Sequence, residues 1–578
     1  MADGRDRATG TFSVRASFPW IELFRCFQVA LDPRKLLAAA AGILAVSVGW
    51  FILSAIFYSK APERSDAVYS NSVIQKDYEG KKKPAKDGAP EEAYKEADFV
   101  EKGKEKFDAD YAQWRVLADL AAPAESGQAP SEKVPFGKPS TPPGRLRAMP
   151  WDEYRGPNPF LFATNVIGGS ASERSDSIGG FITGSIPVLM EPLVKLLIPV
   201  TKIVSPGVSG MTRVYLFLVL IWSLVVWGFF GGIITRLAAI QLANKGPVTM
   251  RQTVKFVANR YVNYLLAPMV PLLIVGAVAV GLMLYGLVAL IPVVGDVVFF
   301  GLGLPLIILG GAIMAVFLVG LVGYPLMYPT LSVEGDSSDT FDALSRSINY
   351  VYQAPWQYLW YWFVAILYGA AVTFFVLFFA SLMVYCGKWA VGIPASAIYS
   401  DRKPEFLFIY APESFGWKEL LLKDSPYEVR HVPEVSATGR KVDVYVPANP
   451  VADAENRKEY YAYNTLGARM VGFWLGLLFL MMLGFSYSFF WTAATVIYFL
   501  LRKKIDEAEM DEVFVEEDEP EAPLAPPKLA DHTAPTSPPP PPATTMPLPM
   551  ISPPPPPPPP PPIPLASSPP PPDGDRLV

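Results

Sequence analysis

Between Leu359 and Tyr385 the chain runs without one charged residue. An uncharged, apolar stretch of that length crosses a bilayer as a helix, because only a helix satisfies every backbone N–H and C=O within a single segment. The same test of length and charge selects Leu36–Tyr58, Val214–Ile234, Leu265–Ile291, Val297–Leu326 and Met470–Leu501. The last is long enough to tilt strongly or to continue past the membrane. Hydrophobic residues make up 51% of the chain and charged residues 18%, with a mean hydropathy of +0.27. That charge content is low for a soluble protein. The expected fold class is an all-α polytopic membrane protein with six transmembrane helices, cytoplasmic amphipathic helices, two extracytoplasmic insertions and a disordered proline-rich C-terminal tail.

The segment before Leu359 predicts a helix lying on the membrane. Phe341, Leu344, Ile348 and Val351 recur at helical spacing, Asp342, Ser345, Arg346 and Asn349 take the other face, and Asp339 is placed to cap it. Pro355 then breaks the run. Two other segments share this plan. Thr249–Leu265 opens with a capping-box pattern, Thr249 with Gln252. Its stripe is Met250, Val254, Val257, Tyr261 and Leu265, and Pro268 precedes the next span. Near the N-terminus the stripe is Ile21, Phe24, Phe27 and Leu31, followed by Asp32-Pro33. Arg260-x-x-Asn263-Tyr264 matches Arg346-x-x-Asn349-Tyr350, and Arg25, Arg260 and Arg346 precede their prolines by eight, eight and nine residues. The pattern predicts a threefold repeat of surface helix, proline corner and out-and-back hairpin. The three arginines are the candidate lipid-headgroup or helix-orienting residues.

Basic residues set the orientation. They precede the first span, fill the connection between the second and third, and close the sixth at Arg502-Lys503-Lys504, whereas the turn Pro292–Asp296 has none. By the positive-inside rule both termini are cytoplasmic. The domain plan is then a cytoplasmic segment at 1–35, spans at 36–58, 214–234, 265–291, 297–326, 359–385 and 470–501, and cytoplasmic amphipathic segments at 235–264 and 327–358. An extracytoplasmic insertion occupies 59–213 and a smaller one 387–469, and the cytoplasmic tail runs from 502 to 578. No signal peptide is expected, since the first apolar segment is of full span length.

Within the large insertion, Glu91–Leu120 reads as a charged helix, and a proline-rich stretch runs from Pro150 to Pro159. Ile186–Val204 is apolar but carries Glu191, Lys195 and Lys202 on one stripe, with Glu191 and Lys195 at ion-pair spacing. It reads as an interfacial helix rather than a seventh span. In the smaller insertion Glu405–Tyr410 and Lys441–Val446 read as strands, and Pro412–Leu421 as a turn feeding a short helix. This insertion is too small for a core of its own and is expected to pack on the first insertion or on the membrane. The tail is acidic from Asp506 to Glu521 and then proline-rich, with an uninterrupted proline run from Pro553 to Pro562. Such runs favour extended polyproline II, and the ends of this one mark a candidate partner-docking segment.

Little in the chain points to catalysis. None of the predicted spans contains an ionisable residue, which argues against proton-coupled transport. No phosphate loop, nucleophile elbow or paired-cysteine pattern occurs. His431 and His532 have no cysteine partners, so neither a metal nor a cofactor is expected. Cys26 and Cys386 are expected on opposite sides of the membrane, which excludes a disulfide within one chain. A net charge of −5 gives no reason to expect nucleic-acid binding. Gly228 and Gly232 in the second span, Gly276 and Gly281 in the third, and Gly310 and Gly311 in the fourth are the candidate helix-packing residues.

The repeated unit, together with the exit Ile497-Tyr-Phe-Leu-Leu-Arg-Lys-Lys-Ile-Asp-Glu-Ala-Glu-Met-Asp-Glu-Val513, resembles uncharacterised polytopic membrane proteins of bacteria. The resemblance covers the membrane part and implies a bacterial inner membrane but no activity. The expected function is a non-enzymatic scaffold or assembly component. It would touch the bilayer everywhere and hold protein partners through its insertions and tail. A channel or passive transporter through the glycine-rich hairpin of the third and fourth spans is the alternative, and a membrane enzyme the third reading.

Overall fold

The structure, a computed structural model, describes residues 18–62, 96–123, 143–168, 186, 188–288, 290–335, 338–398, 404–435 and 439–515. The docking segment bounded by Pro553 and Pro562 therefore lies outside the described residues, as does the rest of the tail after Val515.

The chain enters through a 3-10 turn, Pro19–Phe24, and a short helix α1, Arg25–Ala30. Leu23, Cys26 and Ala30 face inward. Phe24 and Leu31 of the expected stripe are exposed instead, because the 3-10 turn rotates the face by which this segment packs. Helix α2, Pro33–Phe57, is the first span. Asp32 caps it by accepting from the Arg34 N–H at 2.9 Å, and Pro33 takes the first position, where no N–H is needed. The first insertion contributes α3, Glu96–Ala121, α4, Pro159–Gly168, and α5, Glu191–Val204. The second span is α6, Gly210–Leu242.

Next comes α7, Met250–Asn259, with both halves of the Thr249–Gln252 capping box formed. The chain turns at Arg260, and the third span, α8, runs Tyr261–Val288. The expected corner at Pro268 is not there, since Pro268 and Pro271 lie inside α8. Its first turn is held against α6, where the Tyr261 hydroxyl donates to the Val225 carbonyl at 2.8 Å. A π-helical segment, Gly295–Leu302, leads to α9, Leu304–Gly320. A 3-10 turn, Leu321–Gly323, separates it from α10, Tyr324–Glu334, and together these form the fourth span, Leu304–Glu334.

Helix α11, Thr340–Gln353, starts at its Asp339 cap and stops before Pro355, which opens the fifth span, α12, Pro355–Ile398. The proline corner thus holds for α2 and α12 and fails for α8. As a result the matched Arg-x-x-Asn-Tyr residues are not equivalent: Arg260 sits at a bend and Arg346 in mid-helix.

The second insertion holds a 3-10 turn at Pro404–Phe408, helix α13, Trp417–Leu422, and a hairpin. Strand β1, Val429–Val435, pairs antiparallel with β2, Lys441–Pro447, with His431 opposite Tyr445. Helix α14, Pro450–Lys458, follows. The strand expected at Glu405–Tyr410 is instead the 3-10 turn. That segment lacks inward–outward alternation, and it lays Phe406 against Tyr460 and its other residues along the last helix. Both cysteines are free, Cys26 buried and Cys386 exposed.

That last helix is α15, Ala462–Ile505, the sixth span. Its first half shows Met470, Phe473 and Trp474 to the outside, while from Phe479 to Leu501 almost every residue is buried. Helices α2, α6, α10 and α12 surround this half. The α2 backbone comes close at Gly484, where an added Cβ would lie 2.9 Å from the Leu36 carbonyl oxygen. Gly484→Val is expected to destabilise the bundle by about 1–3 kcal/mol through overpacking. Gly476→Val, at a site where a Cβ meets nothing within 4 Å, is expected to be neutral. Thermal unfolding of both variants in one detergent checks this.

Candidate functional site

The proline-rich stretch Pro150–Pro159 has no periodicity and forms no regular element until its last residue opens α4. It instead wraps around one side chain. The Arg155 guanidinium meets the Glu191 carboxylate in a fork, Nε to Oε2 and Nη2 to Oε1, each at 2.9 Å. Its remaining donors go to the Pro150 carbonyl at 2.5 Å, the Ser414 hydroxyl at 3.1 Å and the Glu153 carboxylate at 2.5 Å. Helix α5 supplies Glu191, and one turn on it supplies Lys195, whose ammonium lies 2.6 Å from Glu191 and 2.8 Å from Glu153. The i,i+4 pair read from the sequence is therefore present, as one edge of a cluster with Arg155 and Glu153. The Tyr487 hydroxyl of α15 donates to Glu191 at 3.2 Å and completes it.

The cluster is dry. Side-chain exposure is 4% for Arg155 and 8% for Glu191. Burial alone would raise the Glu191 pKa, but the Arg155 guanidinium and the Lys195 ammonium outweigh it and hold the carboxyl well below its usual range. Asp152, beside the cluster, shows the opposite behaviour. Burial and the neighbouring Glu413 carboxylate push it up to about 7, against the pull of Lys418.

The cluster lies beside the first span. The predicted spans carry no ionisable residue, yet Lys195, Pro192 and Tyr487 line one small cavity with Ile43, Val46 and Ser47, in the middle of α2. The insertion brings its charges down to the level of the span. Helix α6 likewise continues past Ile234 and buries Arg236, which donates to the Ser332 carbonyl at 2.6 Å.

Above the cluster a cleft of about 520 Å³ opens between the insertions and the bundle. Trp50, Leu146, Val188, Val194 and Ile198 give it an apolar wall, and Arg145, Asp152, Arg440, Lys441 and Asp443 a charged one. The second insertion is fastened across it: the Glu413 and Ser414 N–H groups donate to the Trp151 carbonyl, and Asn158 donates to the Phe415 carbonyl at 3.0 Å.

Below the cluster the bundle is filled by aromatic rings. Tyr487 stacks on Trp227 at 4.9 Å and Trp491 on Tyr328 at 4.9 Å, with Trp227 and Trp491 6.5 Å apart. A second polar layer follows, in which Ser332 bonds both Tyr264 and Thr235 at 2.8 Å.

Each candidate arginine is engaged by the protein. Arg25 pairs with Glu22 at 3.1 Å. Arg260 lies 4.0 Å over the Phe256 ring and 5.5 Å from Phe514. Arg346 pairs with Asp342 at 3.0 Å and with Glu334, the last residue of α10, at 3.4 Å, so it fixes α11 to the end of the fourth span.

The glycines divide. A Cβ at Gly228 or Gly232 would touch α8 or α7, and one at Gly310 would touch Leu282. At Gly276, Gly281 and Gly311 an added Cβ meets nothing within 4 Å among the described residues. Among the described residues α8 and α9 leave many large apolar side chains exposed, Val280, Met283, Leu306 and Ile308 among them.

Sequence reasoning missed Arg155 and the joining of Glu191 to Tyr487. The available signal was an arginine among prolines, in a stretch with no other reason for one. Comparison with protein-family profiles, curated proteins and solved structures gives no match.

Glu191→Gln leaves the Arg155 charge buried with a weaker partner and is expected to cost about 3–5 kcal/mol, read as a fall in melting temperature. Glu153→Gln, at 30% side-chain exposure, is expected to cost less. Asp152 binds its proton more tightly folded than unfolded, so its stabilisation is present at low pH and is lost as pH rises from the ordinary 3.8 through about 7. Asp152→Asn is therefore expected to melt higher than the parent at pH 8 and like it at pH 4.

Proposed function

We propose that this chain is a non-enzymatic integral protein of a bacterial inner membrane, with both termini cytoplasmic, and that it works as a scaffold. Its two insertions form one rigid extracytoplasmic head that presents a surface to protein partners. The observation that carries this reading is the union of head and bundle by the Arg155–Glu191–Lys195–Tyr487 cluster, backed by an aromatic plug. A head bonded into the last span cannot swing independently, and rigid placement is what an assembly platform requires. The cluster is also saturated internally, with no charge of Glu191 left to meet a substrate.

The hairpin of α8 and α9 is a poor conduit on the same grounds. It stands at the edge of the bundle, and Gly276, Gly281 and Gly311 look outward. A carrier is the competing reading, favoured by ionised groups at the level of the spans beneath an open cleft.

Purified full-length protein in liposomes is expected to give no proton, potassium or small-solute flux above protein-free vesicles. Chemical cross-linking in cells is expected to capture specific partners that Arg155→Glu loses. Flux that Glu191→Gln abolishes would replace the scaffold by a carrier. Orientation has its own check in a Cys386→Ser background. Cysteine at Lys423, exposed on the head, is expected to react with an impermeant thiol reagent in spheroplasts, and cysteine at Glu509, after the last span, is not. The reverse labelling would invert the topology.

A further inference from the structure

After α15 the chain does not leave the bundle. The segment from Asp506 to Val515 turns back and lies against the ends of α10 and α15. It forms neither helix nor strand. Its own backbone bonds beyond Asp506 are two turn contacts, from the Glu512 N–H to the Glu509 carbonyl at 3.3 Å and from the Val513 N–H to the Asp511 carbonyl at 3.0 Å. The turn begins at Glu507, whose φ of +56° is a left-handed conformation that strains any residue with a side chain. A segment built this way keeps its shape only while the bundle holds it.

Two anchors hold it. The Phe514 N–H donates to the Val333 carbonyl at 2.9 Å, one of the last carbonyls of α10, which a helix leaves without an amide of its own. The Phe514 ring lies against Gly335, where the missing Cβ leaves it room, and 5.5 Å from the Arg260 guanidinium at the bend between α7 and α8. The second anchor is Glu512. Arg502 of α15 donates to its carbonyl at 2.7 Å and stands 3.8 Å from its carboxylate. Between the anchors, Val513 is buried. The seat itself belongs to the bundle. Arg502 is fixed by Glu334 at 3.0 Å, Arg260 stacks on Phe256 at 4.0 Å, and Gly335 ends α10. A waiting backbone acceptor, room for one ring and a guanidinium two residues away are the parts by which a groove reads an extended peptide.

We propose that this seat is a peptide-recognition site, filled here by the chain's own Glu512-Val513-Phe514, and that it takes from a partner an extended segment with a carboxylate two residues before an aromatic ring. The internal copy acts as a tethered competitor, present at an effective concentration in the millimolar range, so a partner enters as that copy gives way. The seat lies at the far end of the bundle from the Arg155 cluster and serves a scaffold or a carrier alike.

The test uses full-length protein in a neutral detergent and a fluorescein-labelled peptide, Glu509-Met-Asp-Glu-Val-Phe-Val515, followed by fluorescence anisotropy. The Phe514→Ala protein has an empty ring position and is expected to bind the peptide saturably, about tenfold more tightly than the wild type, whose seat is filled by its own chain. The Phe514→Leu protein keeps a smaller apolar occupant and is expected to fall between the two. It serves as the open receptor if Phe514→Ala does not melt cooperatively. Phe514→Ala in the peptide is expected to abolish binding. Glu512→Gln in the peptide is expected to weaken it about twofold, as loss of an exposed ion pair does. A scrambled peptide of the same composition is expected not to bind. Equal binding by the wild type and both protein variants would overturn the proposal. So would equal binding of the scrambled peptide, or no saturable binding by a variant that melts cooperatively.

Discussion

The structure depends on keeping one carboxylate ionised away from water. Holding an ion in a low-dielectric interior costs several kcal/mol unless its charge is met and its lone pairs are filled. At Glu191 both conditions hold. One oxygen accepts from Arg155, Lys195 and Tyr487, and the other from Arg155 Nε. The arginine is saturated in turn by a backbone carbonyl and by Ser414 of the second insertion. Because every member needs the others, α5, the Pro150–Pro159 stretch, the second insertion and the last span hold one relative arrangement. The floor of the cleft is fixed by the same bonds.

A different physics holds the remainder of the bundle. Around the second half of α15 the contacts are large rings and small residues. Trp227, Tyr487, Trp491 and Tyr328 stack through the centre, and Gly231 lies close against the Tyr328 and Trp491 rings. Offset and edge-on aromatic contacts add stability beyond the area they bury. At the far end charge returns: Glu334 gathers Arg346, Arg502 and the Tyr498 hydroxyl, and the chain after α15 folds back so that the Phe514 N–H donates to the Val333 carbonyl at 2.9 Å. Gly335 makes room for that return, with φ at +61° and the Phe514 ring where a Cβ would stand.

The elements legible in the sequence are those whose cause is local. The spans follow from apolar length, the caps at Thr249 and Asp339 from residue type at a helix start, and the Glu191–Lys195 pair from one turn of helix. What escaped is non-local. Arg155 and Glu191 are 36 residues apart, and no periodicity links a proline-rich stretch to a helix. The corner at Arg260 was misplaced at Pro268 because proline was read as a boundary, whereas α6 supports a helix that carries it inside. The ions beside α2 were not legible in the charge-free spans, because a neighbouring segment supplies them. The arginines show only their type and spacing in the sequence, because their carboxylate and aromatic neighbours, Glu334 and Phe514 among them, come together only in the folded chain.

The order of synthesis gives the central position of α15 a temporal meaning. The helix whose second half is buried is also the last span made, and Tyr487 leaves the ribosome 296 residues after the glutamate it bonds. At about 5–20 residues per second that interval is about 15–60 s. During it the five earlier spans stand in the membrane around an unfilled seat, with Trp227, Tyr328 and the Glu191 carboxylate facing the gap. The nascent bundle must therefore stay open toward lipid, or be shielded by the insertion machinery, until its keystone arrives. A ribosome that stops before Ala462 leaves an insertion-bearing shell rather than a smaller version of the protein.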